Sequence, residues 1–389
     1  MDQKHALWQL AFRPFFLSGA IFAVLAMLYW LHFLSGGGGG IALLPAVTWH
    51  SHEMVFGFAG AIIGGFVLTA AQNWTGTRGV HGARLVALFC AWALARILLA
   101  TAGRPLLPLA AFADLAFYPA LGLLMFPYLS DPELRMERVF YVFFGLFFIS
   151  DLAVWLDAAG ISAFAGASAQ AIRFALNLVV VMIVFMGGRV IPFFTESELS
   201  RKQPRVRDRI ETAAMASSVL YVLSALALPE GRPAALVAFV AAGLHAVRLA
   251  GWQVPRVRRI PLLWVLHGAY FWIVAGYALS GLAALGFLPM SAAIHAFGVG
   301  GIGAVIHGMI SRVSLGHTGR RLHPSAPTVA GFAFVLAAAP ARIAASVAGG
   351  AAYQPLLLLA GGLWIAAFSL FAVVYAPILL SPRVDGRAG

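Results

Sequence analysis

Long apolar stretches recur along the whole chain, separated by short segments that carry most of its charge. Clear examples occupy residues 16–34, 140–156, 171–190 and 356–380. Each one reaches or approaches the roughly 20 apolar residues that cross a bilayer as an α-helix. Hydrophobic residues make up 61% of the chain and charged residues 10%, and no soluble fold buries that much apolar surface. The sequence therefore predicts an integral membrane protein.

Proline, glycine and charged residues divide the apolar stretches into about twelve segments of membrane-spanning length. We predict an all-α polytopic membrane helix bundle that forms a single integral membrane domain over residues 1–389. The predicted helices lie near residues 14–34, 50–73, 83–101, 105–129, 138–156, 170–193, 211–228, 234–251, 262–286, 289–311, 327–348 and 355–380.

The basic residues indicate how the helices are oriented. Lys and Arg total 26 against 14 Asp and Glu and form no single patch. Of these basic residues, 19 lie at the termini and in alternate loops, the opposite loops contain only Arg104 and Arg232, and the other five fall within or at the edge of helices. This asymmetry predicts that both termini are cytoplasmic and that the excess charge contacts anionic lipid, with no nucleic acid partner. The first segment has no cleavage pattern of a signal peptide and is predicted to be a retained helix. The glycine run at 36–40 is predicted to be a flexible external connector.

A single cysteine, Cys90, excludes intrachain disulfides and centres that need several cysteine ligands. A metal must then be held by His, Met, Glu or a cofactor. The sequence also contains no phosphate-binding loop, dinucleotide-binding fingerprint, HExxH zinc site or serine nucleophile elbow in context. The missing motifs argue against the chemistry of soluble enzymes, and the histidines become the main candidates for functional residues.

The first histidine cluster is WHSHEM at 49–54, at the predicted outer end of the second helix. His50 and Glu53 share one helix face with the glycines at 57, 60 and 64. That bare glycine stripe accommodates a closely packed helix or a flat ring such as a porphyrin, and packing is the more frequent case. His50 and His52 are either interfacial groups in headgroup water or, together with Glu53, a site of metal ligation or proton handling.

Two further helices carry histidines. His295 lies near the outer surface, at the predicted level of His50 and His52, whereas His307 is twelve residues deeper, about 18 Å along the helix. His267 in the preceding antiparallel helix falls at the depth of His307. The sequence thus allows two metal-competent levels, an outer one with His295 and an inner one from His267 and His307.

Other polar residues are ambiguous. The segment 187–195 is predicted to break the sixth helix through its glycines and Pro192. Arg189 in it, and Arg312, are predicted to contact either a haem propionate or a lipid phosphate, and His317 is predicted to lie against the same cofactor. Asp114 near mid-membrane is either a paired structural group or part of a proton path. His245 receives no assignment.

Several motifs together resemble the NnrS family: FRPFFL at 12–17, WHSHEM at 49–54, GFVLTA at 65–70, NWTG at 73–76, GRVIPFFT at 188–195 and SRVSLGHTGR at 311–320. The resemblance implies a multi-pass protein of the bacterial inner membrane that contains haem, of b-type, and copper. It also implies a link to nitric oxide metabolism, denitrification and nitrosative stress. It assigns no ligands, but it strengthens the case for His50, His52, Glu53, His295, His307 and His317.

Nitric oxide is small, uncharged and lipid-soluble, so a metal site inside a helical bundle can receive it laterally. Taken with the histidine clusters, the resemblance implies that the protein binds nitric oxide at a histidine-ligated metal, and we predict Glu53 as the proton donor if the gas is reduced. Reduction also needs an electron donor, which the sequence does not identify. Two alternatives stay open: a secondary transporter, which often has twelve helices, and a haem-based sensor or electron carrier without turnover.

Overall fold

A computed structural model describes residues 3–37, 43–130, 136–199, 208–252 and 255–387. Within these ranges twelve helices are long and apolar enough to cross a membrane, and no strand is found. They are α1 (Phe12–Leu34), α2 (Ala46–Thr75), α3 (Ala83–Thr101), α4 (Arg104–Leu129), α5 (Val139–Ala158), α6 (Ser168–Leu199), α7 (Asp208–Ala227), α8 (Gly231–Trp252), α9 (Pro261–Ala284), α10 (Met290–His317), α11 (Ala326–Ala348) and α12 (Gly350–Leu380).

The predicted all-α polytopic fold is confirmed. The membrane orientation of the termini stays a prediction. The predicted glycine connector at 36–40 falls largely outside the described residues, which stop at 37 and resume at 43.

The predicted break in α6 is wrong. The helix continues through Pro192 to Leu199. A proline removes the hydrogen bond to the carbonyl four residues earlier and crowds that carbonyl, and here the earlier residue is Gly188. A membrane helix keeps its remaining backbone hydrogen bonds because lipid cannot replace them. The absence of a side chain at Gly188 leaves room for a neighbouring group at this point, and the side chain of Arg248 lies there.

Two helices contain a π-helical segment, in which each turn holds an extra residue. The segment Glu53–Ala59 lies within α2 and begins directly after His52. The segment Ala296–Gly303 lies within α10 and begins directly after His295. Such segments are frequent at functional sites because they rotate the residues before them relative to the residues after them. Both coincide with histidines that the sequence singled out.

The chain divides into two compact units, and the first consists of Met1–Ala175, Val313–Arg321 and Ala372–Gly389. Its central helix is α2. In the apolar stretch of 18 residues of α2, 89% is buried, whereas in that of α3 only 39% is buried. Phe56 of α2 packs against two rings of neighbouring helices, Tyr118 and Phe147, and the three centroids lie 5.2 to 6.4 Å apart. A polar side chain on the inward face of α2 is therefore shielded from both lipid and water.

The FRPFFL motif closes one end of this unit. The Arg13 guanidinium is buried and donates hydrogen bonds to the carbonyls of Leu379 at 2.9 Å and Ser381 at 2.7 Å. Arg383 similarly donates to the carbonyl of His317 at 2.9 Å. Cations are favourable at helix C-termini, where carbonyls lack partners within the helix. Arg383 also holds the pKa of Asp385 below its usual range through hydrogen bonds to that carboxylate.

The second unit consists of Leu176–Arg312 and Leu322–Phe371. Its apolar core joins residues of α6, α8, α9 and α11, including Ile191, Trp252, Leu266, Tyr270 and Phe332. Several polar side chains from α7, α8 and α9 are buried in the same unit.

Candidate metal centre

A cluster of five ionisable side chains lies inside the first unit. They come from four helices, His52 and Glu53 from α2, Arg96 from α3, Asp114 from α4 and Asp151 from α5. None of the five is more than 5% exposed. Ionisable groups at such positions are costly and are retained where they pair with one another or serve a function. We call this group the acidic centre.

His52 joins the three carboxyl groups of the centre. Its Nδ1 lies 3.0 Å from Oε1 of Glu53, and its Nε2 lies 2.9 Å from Oδ1 of Asp151 and 3.1 Å from Oδ2 of Asp114. The Arg96 guanidinium donates to Oε1 of Glu53 and to Oδ1 of Asp114. The indole of Trp155 donates to Oδ2 of Asp114 at 3.1 Å. Every member of the centre is therefore hydrogen-bonded to at least one other member.

The charges of the centre do not balance. Three carboxylates face one guanidinium, and even a doubly protonated His52 leaves one negative charge in excess. A buried uncompensated charge is strongly unfavourable, so the centre must take up a further cation or a proton. The nearby nitrogen of His52 and one oxygen each of Asp114 and Asp151 lie within 4.8 Å of one another, close enough to hold a metal ion.

Four buried polar atoms at or near the centre have no hydrogen-bond partner among the described residues. They are Oε2 of Glu53, Oδ2 of Asp151, Nε of Arg96 and the hydroxyl of Tyr118. A buried polar atom left without a partner costs about 1–3 kcal/mol. Such atoms normally meet an ion, a water or a ligand. The centre thus offers free acceptors on two of its three carboxyl groups.

The glycine stripe of α2 lets side chains reach the centre. A Cβ at Gly57 would lie 2.8 Å from Nη1 of Arg96, and one at Gly60 would lie 2.7 Å from the hydroxyl of Tyr118. A Cβ at Gly64 would lie 2.9 Å from the Phe117 ring. The stripe is therefore filled by side chains of α3 and α4. Of the two sequence interpretations, this packing favours the neighbouring-helix one, and the stripe holds no space for a flat ring.

Gly57→Ala is expected to destabilise the protein by about 1–3 kcal/mol, the usual cost of forcing an extra group into a packed core. The added methyl group would occupy the position of the Arg96 guanidinium, so the guanidinium must move and its ion pair with Glu53 is weakened. The midpoint of thermal unfolding in detergent measures the effect. Gly145→Ala is the matched control, since nothing lies within 4 Å of a Cβ there. Equal midpoints for the two variants would contradict this account of the stripe.

His50 and His295 do not enter the acidic centre. The His50 ring stacks on Trp30, with centroids 4.5 Å apart and planes 9° apart, and is half-buried. In the second unit, Nδ1 of His295 lies 2.7 Å from the Ser291 carbonyl, one turn earlier in α10. Three histidines were predicted for the outer level. Among the described residues, His52 is the one of the three that lies beside other groups able to bind a metal.

His267 and His307, the predicted inner pair, contact different partners. Both ring nitrogens of His267 face backbone carbonyls, those of Leu263 at 2.9 Å and Trp252 at 3.3 Å. Nε2 of His307 lies 2.9 Å from the Ala367 carbonyl, and Nδ1 has no partner among the described residues. The His307 ring packs against three phenylalanines of α11 and α12, Phe332, Phe368 and Phe371. His267 faces α8 instead, so the two histidines share no partner.

The residues predicted to contact an anionic cofactor group have protein neighbours. Arg312 forms an ion pair with Glu198 at 3.1 Å and lies over the Phe194 ring at 4.0 Å. Arg189 is exposed and lies over the ring of Phe185 at 4.4 Å. His317 is half-buried, with its ring 5.5 Å from that of Phe12. The contact with any cofactor group stays a prediction for these three residues.

Sequence reasoning identified His52 and Glu53 but not their partners. Asp114 was noted as a mid-membrane carboxylate without an assigned partner, and Arg96 and Asp151 were not proposed for a site. The signal was present, since each is an ionisable residue inside an apolar helix. What the sequence lacked was the rotation of α3, α4 and α5, which turns all three side chains toward α2.

Comparison with known proteins agrees with this architecture. A search of curated proteins found no match. The family described as NnrS protein matches residues 6–383, nearly the whole chain and all twelve helices. The matched region includes every residue of the acidic centre. The chain is therefore a multi-pass membrane protein that belongs to the NnrS family, whose membership suggests a role related to nitric oxide.

Proposed function

We propose that this protein binds nitric oxide at a copper ion held by His52, Asp114 and Asp151. The observation that supports the proposal is the buried set of three ligand atoms within 4.8 Å of one another, inside a cluster with excess negative charge. Family membership supports the choice of nitric oxide as the ligand. When bound, the metal supplies a coordination position to which nitric oxide attaches.

The donor set fits a metal ion of this kind. An imidazole nitrogen with carboxylate oxygens suits Cu(II) and other divalent first-row metals, and no thiolate is required. Nε2 of His52 lies 2.9 and 3.1 Å from the two aspartate oxygens, so the three atoms are near enough to one another to hold a single ion. The added positive charge also compensates the excess of carboxylates.

The haem that the resemblance implies does not fit the acidic centre. Both ring nitrogens of His52 face carboxylates, and the glycine stripe beside it is filled by Arg96, Tyr118 and Phe117. His307 is enclosed by three phenylalanine rings and does not offer the space either. We propose a b-type haem as a separate group of the protein, assign it no ligand, and derive no step through it.

The chain's own residues prepare the centre for this ligand. Arg96 fixes one oxygen of Glu53 and one of Asp114, which holds both carboxyl groups toward His52. The burial of all five groups excludes water, while a lipid-soluble gas enters from the bilayer. Oε2 of Glu53 has no partner among the described residues and is the free position at which this carboxyl group can carry a proton.

If the bound nitric oxide is reduced, Glu53→Gln is expected to suppress gas consumption while leaving the metal content unchanged. Glutamine keeps the shape of the side chain but cannot donate a carboxylic proton, and a positioned acid contributes roughly 10²–10⁴-fold to a rate. Consumption of nitric oxide by reduced, purified protein is measured with a gas electrode. Wild-type rates in the variant would remove Glu53 from the proton step. A wild-type protein that stops after one equivalent would instead be a binder without turnover.

Asp151→Asn tests the proposed function most economically. The variant is expected to lose bound copper and the spectral change on adding nitric oxide, because it removes one ligand and the excess charge. Asp157→Asn on the same helix is the matched control, since Asp157 only accepts hydrogen bonds from Gly166 and Ser168 at the end of α5. Copper and a nitric oxide spectrum retained in Asp151→Asn would refute the proposed site.

We place this activity in the bacterial inner membrane, in the response to nitrosative stress and in denitrification. The twelve membrane helices and the family support that placement. The loops rich in basic residues support cytoplasmic termini. The partners proposed are nitric oxide, membrane lipid and an electron donor not yet identified.

A further inference from the structure

A second buried polar cluster lies in the second unit and shares no residue with the acidic centre. It consists of Ser218 from α7, His245 and Arg248 from α8, and Tyr270 and Tyr277 from α9. None of these residues is more than 3% exposed. The sequence alone left His245 unassigned. We call this group the tyrosine–histidine cluster.

The direction of each hydrogen bond in this cluster is determined by chemistry. Nη1 of Arg248 lies 2.8 Å from the hydroxyl oxygen of Tyr270, and a guanidinium can only donate. The phenolic hydrogen is therefore free to point at Nδ1 of His245, 2.6 Å away. Nδ1 accepts, so the ring proton of a neutral His245 lies on Nε2, which donates to Oγ of Ser218 at 2.8 Å.

The rest of the cluster completes this arrangement. Oγ of Ser218 accepts a hydrogen bond from Tyr277 at 2.9 Å and donates to the Ala214 carbonyl at 3.1 Å. Arg248 is itself paired with Glu211, to which its Nε donates at 2.8 Å. The ion pair compensates the guanidinium charge, so a neutral phenol and a neutral imidazole face each other in an apolar surrounding. The phenol is a fixed donor and the imidazole a fixed acceptor.

This geometry points to a redox-active tyrosine: we propose that Tyr270 undergoes reversible one-electron oxidation with His245 as its proton acceptor. One electron passes from the Tyr270 phenol to a one-electron oxidant, either nitrogen dioxide or an oxidised transition-metal centre. The O–H bond breaks and its proton moves to Nδ1 of His245. The products are a neutral phenoxyl radical, an imidazolium and the oxidant reduced by one electron. An electron from a one-electron donor and the return of the same proton restore the starting pair.

The apolar interior makes the proton acceptor essential. Oxidation of the phenol without proton loss would leave the positive charge on an oxygen that already accepts a hydrogen bond from the Arg248 guanidinium, whereas proton transfer places that charge on a basic nitrogen of the His245 ring. Tyr277 and Tyr221 donate to the hydroxyls of Ser218 and Ser280, which are poor bases. Tyr277 stacks its ring on that of His245, but of these three tyrosines Tyr270 is the one whose hydroxyl forms a hydrogen bond with the imidazole.

A neighbouring ring extends the site toward the end of α8. The Trp252 ring centroid lies 4.6 Å from that of Tyr270, and Arg248 lies over both rings. Tryptophan is also oxidisable by one electron, so Trp252 can pass an electron to the Tyr270 phenoxyl radical while the proton on His245 returns to the phenol oxygen. The pair therefore serves as a place where a strong oxidant inside the membrane is neutralised without damage to the backbone.

The test uses the full chain in detergent, stripped of metals with a chelator, and photo-oxidised ruthenium tris-bipyridine as the oxidant. Freeze-quenched samples are examined by electron paramagnetic resonance. We expect a tyrosyl radical in the wild type, its loss in Tyr270→Phe, and its retention in the matched control Tyr277→Phe. In His245→Gln the rate of radical formation is expected to fall roughly a hundredfold, because the proton acceptor is gone.

A measurement on the wild type tests the proposal without any substitution that could disturb folding. Its radical is expected to form more slowly in deuterated water, because a proton moves with the electron. No tyrosyl radical in the wild type, an equal signal in Tyr270→Phe, or an unchanged rate in His245→Gln would overturn the proposal. Because the protein is free of metal in these measurements, none of these outcomes bears on the proposed copper site.

Discussion

His52→Ala is expected to give a protein that binds no copper at the acidic centre and that unfolds more easily. The substitution removes the nitrogen ligand and leaves Glu53, Asp114 and Asp151 facing only Arg96. Breaking a buried pair by deleting one partner costs about 3–5 kcal/mol, because the remaining charges stay buried. Copper content after purification and the midpoint of unfolding in detergent measure the two effects.

His50→Ala is the matched control for this substitution. His50 lies two residues away in the same helix, but it stacks on Trp30 outside the centre. We expect its copper content to equal that of the wild type and its stability loss to be smaller. If His50→Ala lost the metal and His52→Ala kept it, the ligand assignment would be reversed.

Arg96→Gln is expected to have the second large effect. Arg96 is the one permanent cation described in the centre, and it bridges Glu53 and Asp114. Its loss leaves three carboxyl groups around His52, so we expect a destabilisation of about 3–5 kcal/mol in metal-free protein. Because the centre then carries more excess negative charge, added copper should restore more stability to this variant than to the wild type.

Arg104→Gln provides the comparison. Arg104 lies at the start of α4, is exposed and donates only to the Ala158 carbonyl among its described hydrogen bonds. Substitutions at such surface positions usually change stability by less than about 0.5 kcal/mol. Similar unfolding midpoints for Arg96→Gln and Arg104→Gln would show that the ion pairs of the centre contribute nothing to stability.

The helices could be predicted because a bilayer imposes their length and apolar composition. Every predicted segment corresponds to one of the twelve helices, although several extend further than predicted. α6 reaches Leu199 where the prediction ended at 193, since Pro192 does not stop a helix that lipid forces to keep its hydrogen bonds. Proline is a weaker stop signal in this chain than in a soluble protein.

The candidate site could be predicted only in part, and α2 shows why. Spacing placed His50 and Glu53 on one face, on the assumption of a regular α-helix. In the structure a π-helical segment begins at Glu53, and it is His52 that lies beside Glu53 and the two aspartates. The period of a sequence pattern does not reveal such a change of helix type.

The partners of His52 and Glu53 on other helices could not be predicted from the sequence, for a different reason. Arg96, Asp114 and Asp151 lie 18 to 99 positions away from the residues they contact. In uniformly apolar helices the pattern does not define which face turns inward. Ionisable residues inside membrane helices indicate that a site exists. Which of them pair with one another depends on how each helix is rotated about its axis.

The central claim is that His52, Asp114 and Asp151 hold a redox metal ion. X-ray absorption at the copper edge of the purified wild type tests it most directly. We predict nitrogen and oxygen scatterers near about 2.0 Å, including the outer-shell pattern of one imidazole and no sulfur, and loss of this signal in His52→Ala. The same copper environment in wild type and His52→Ala, or a wild type without copper, would contradict the account.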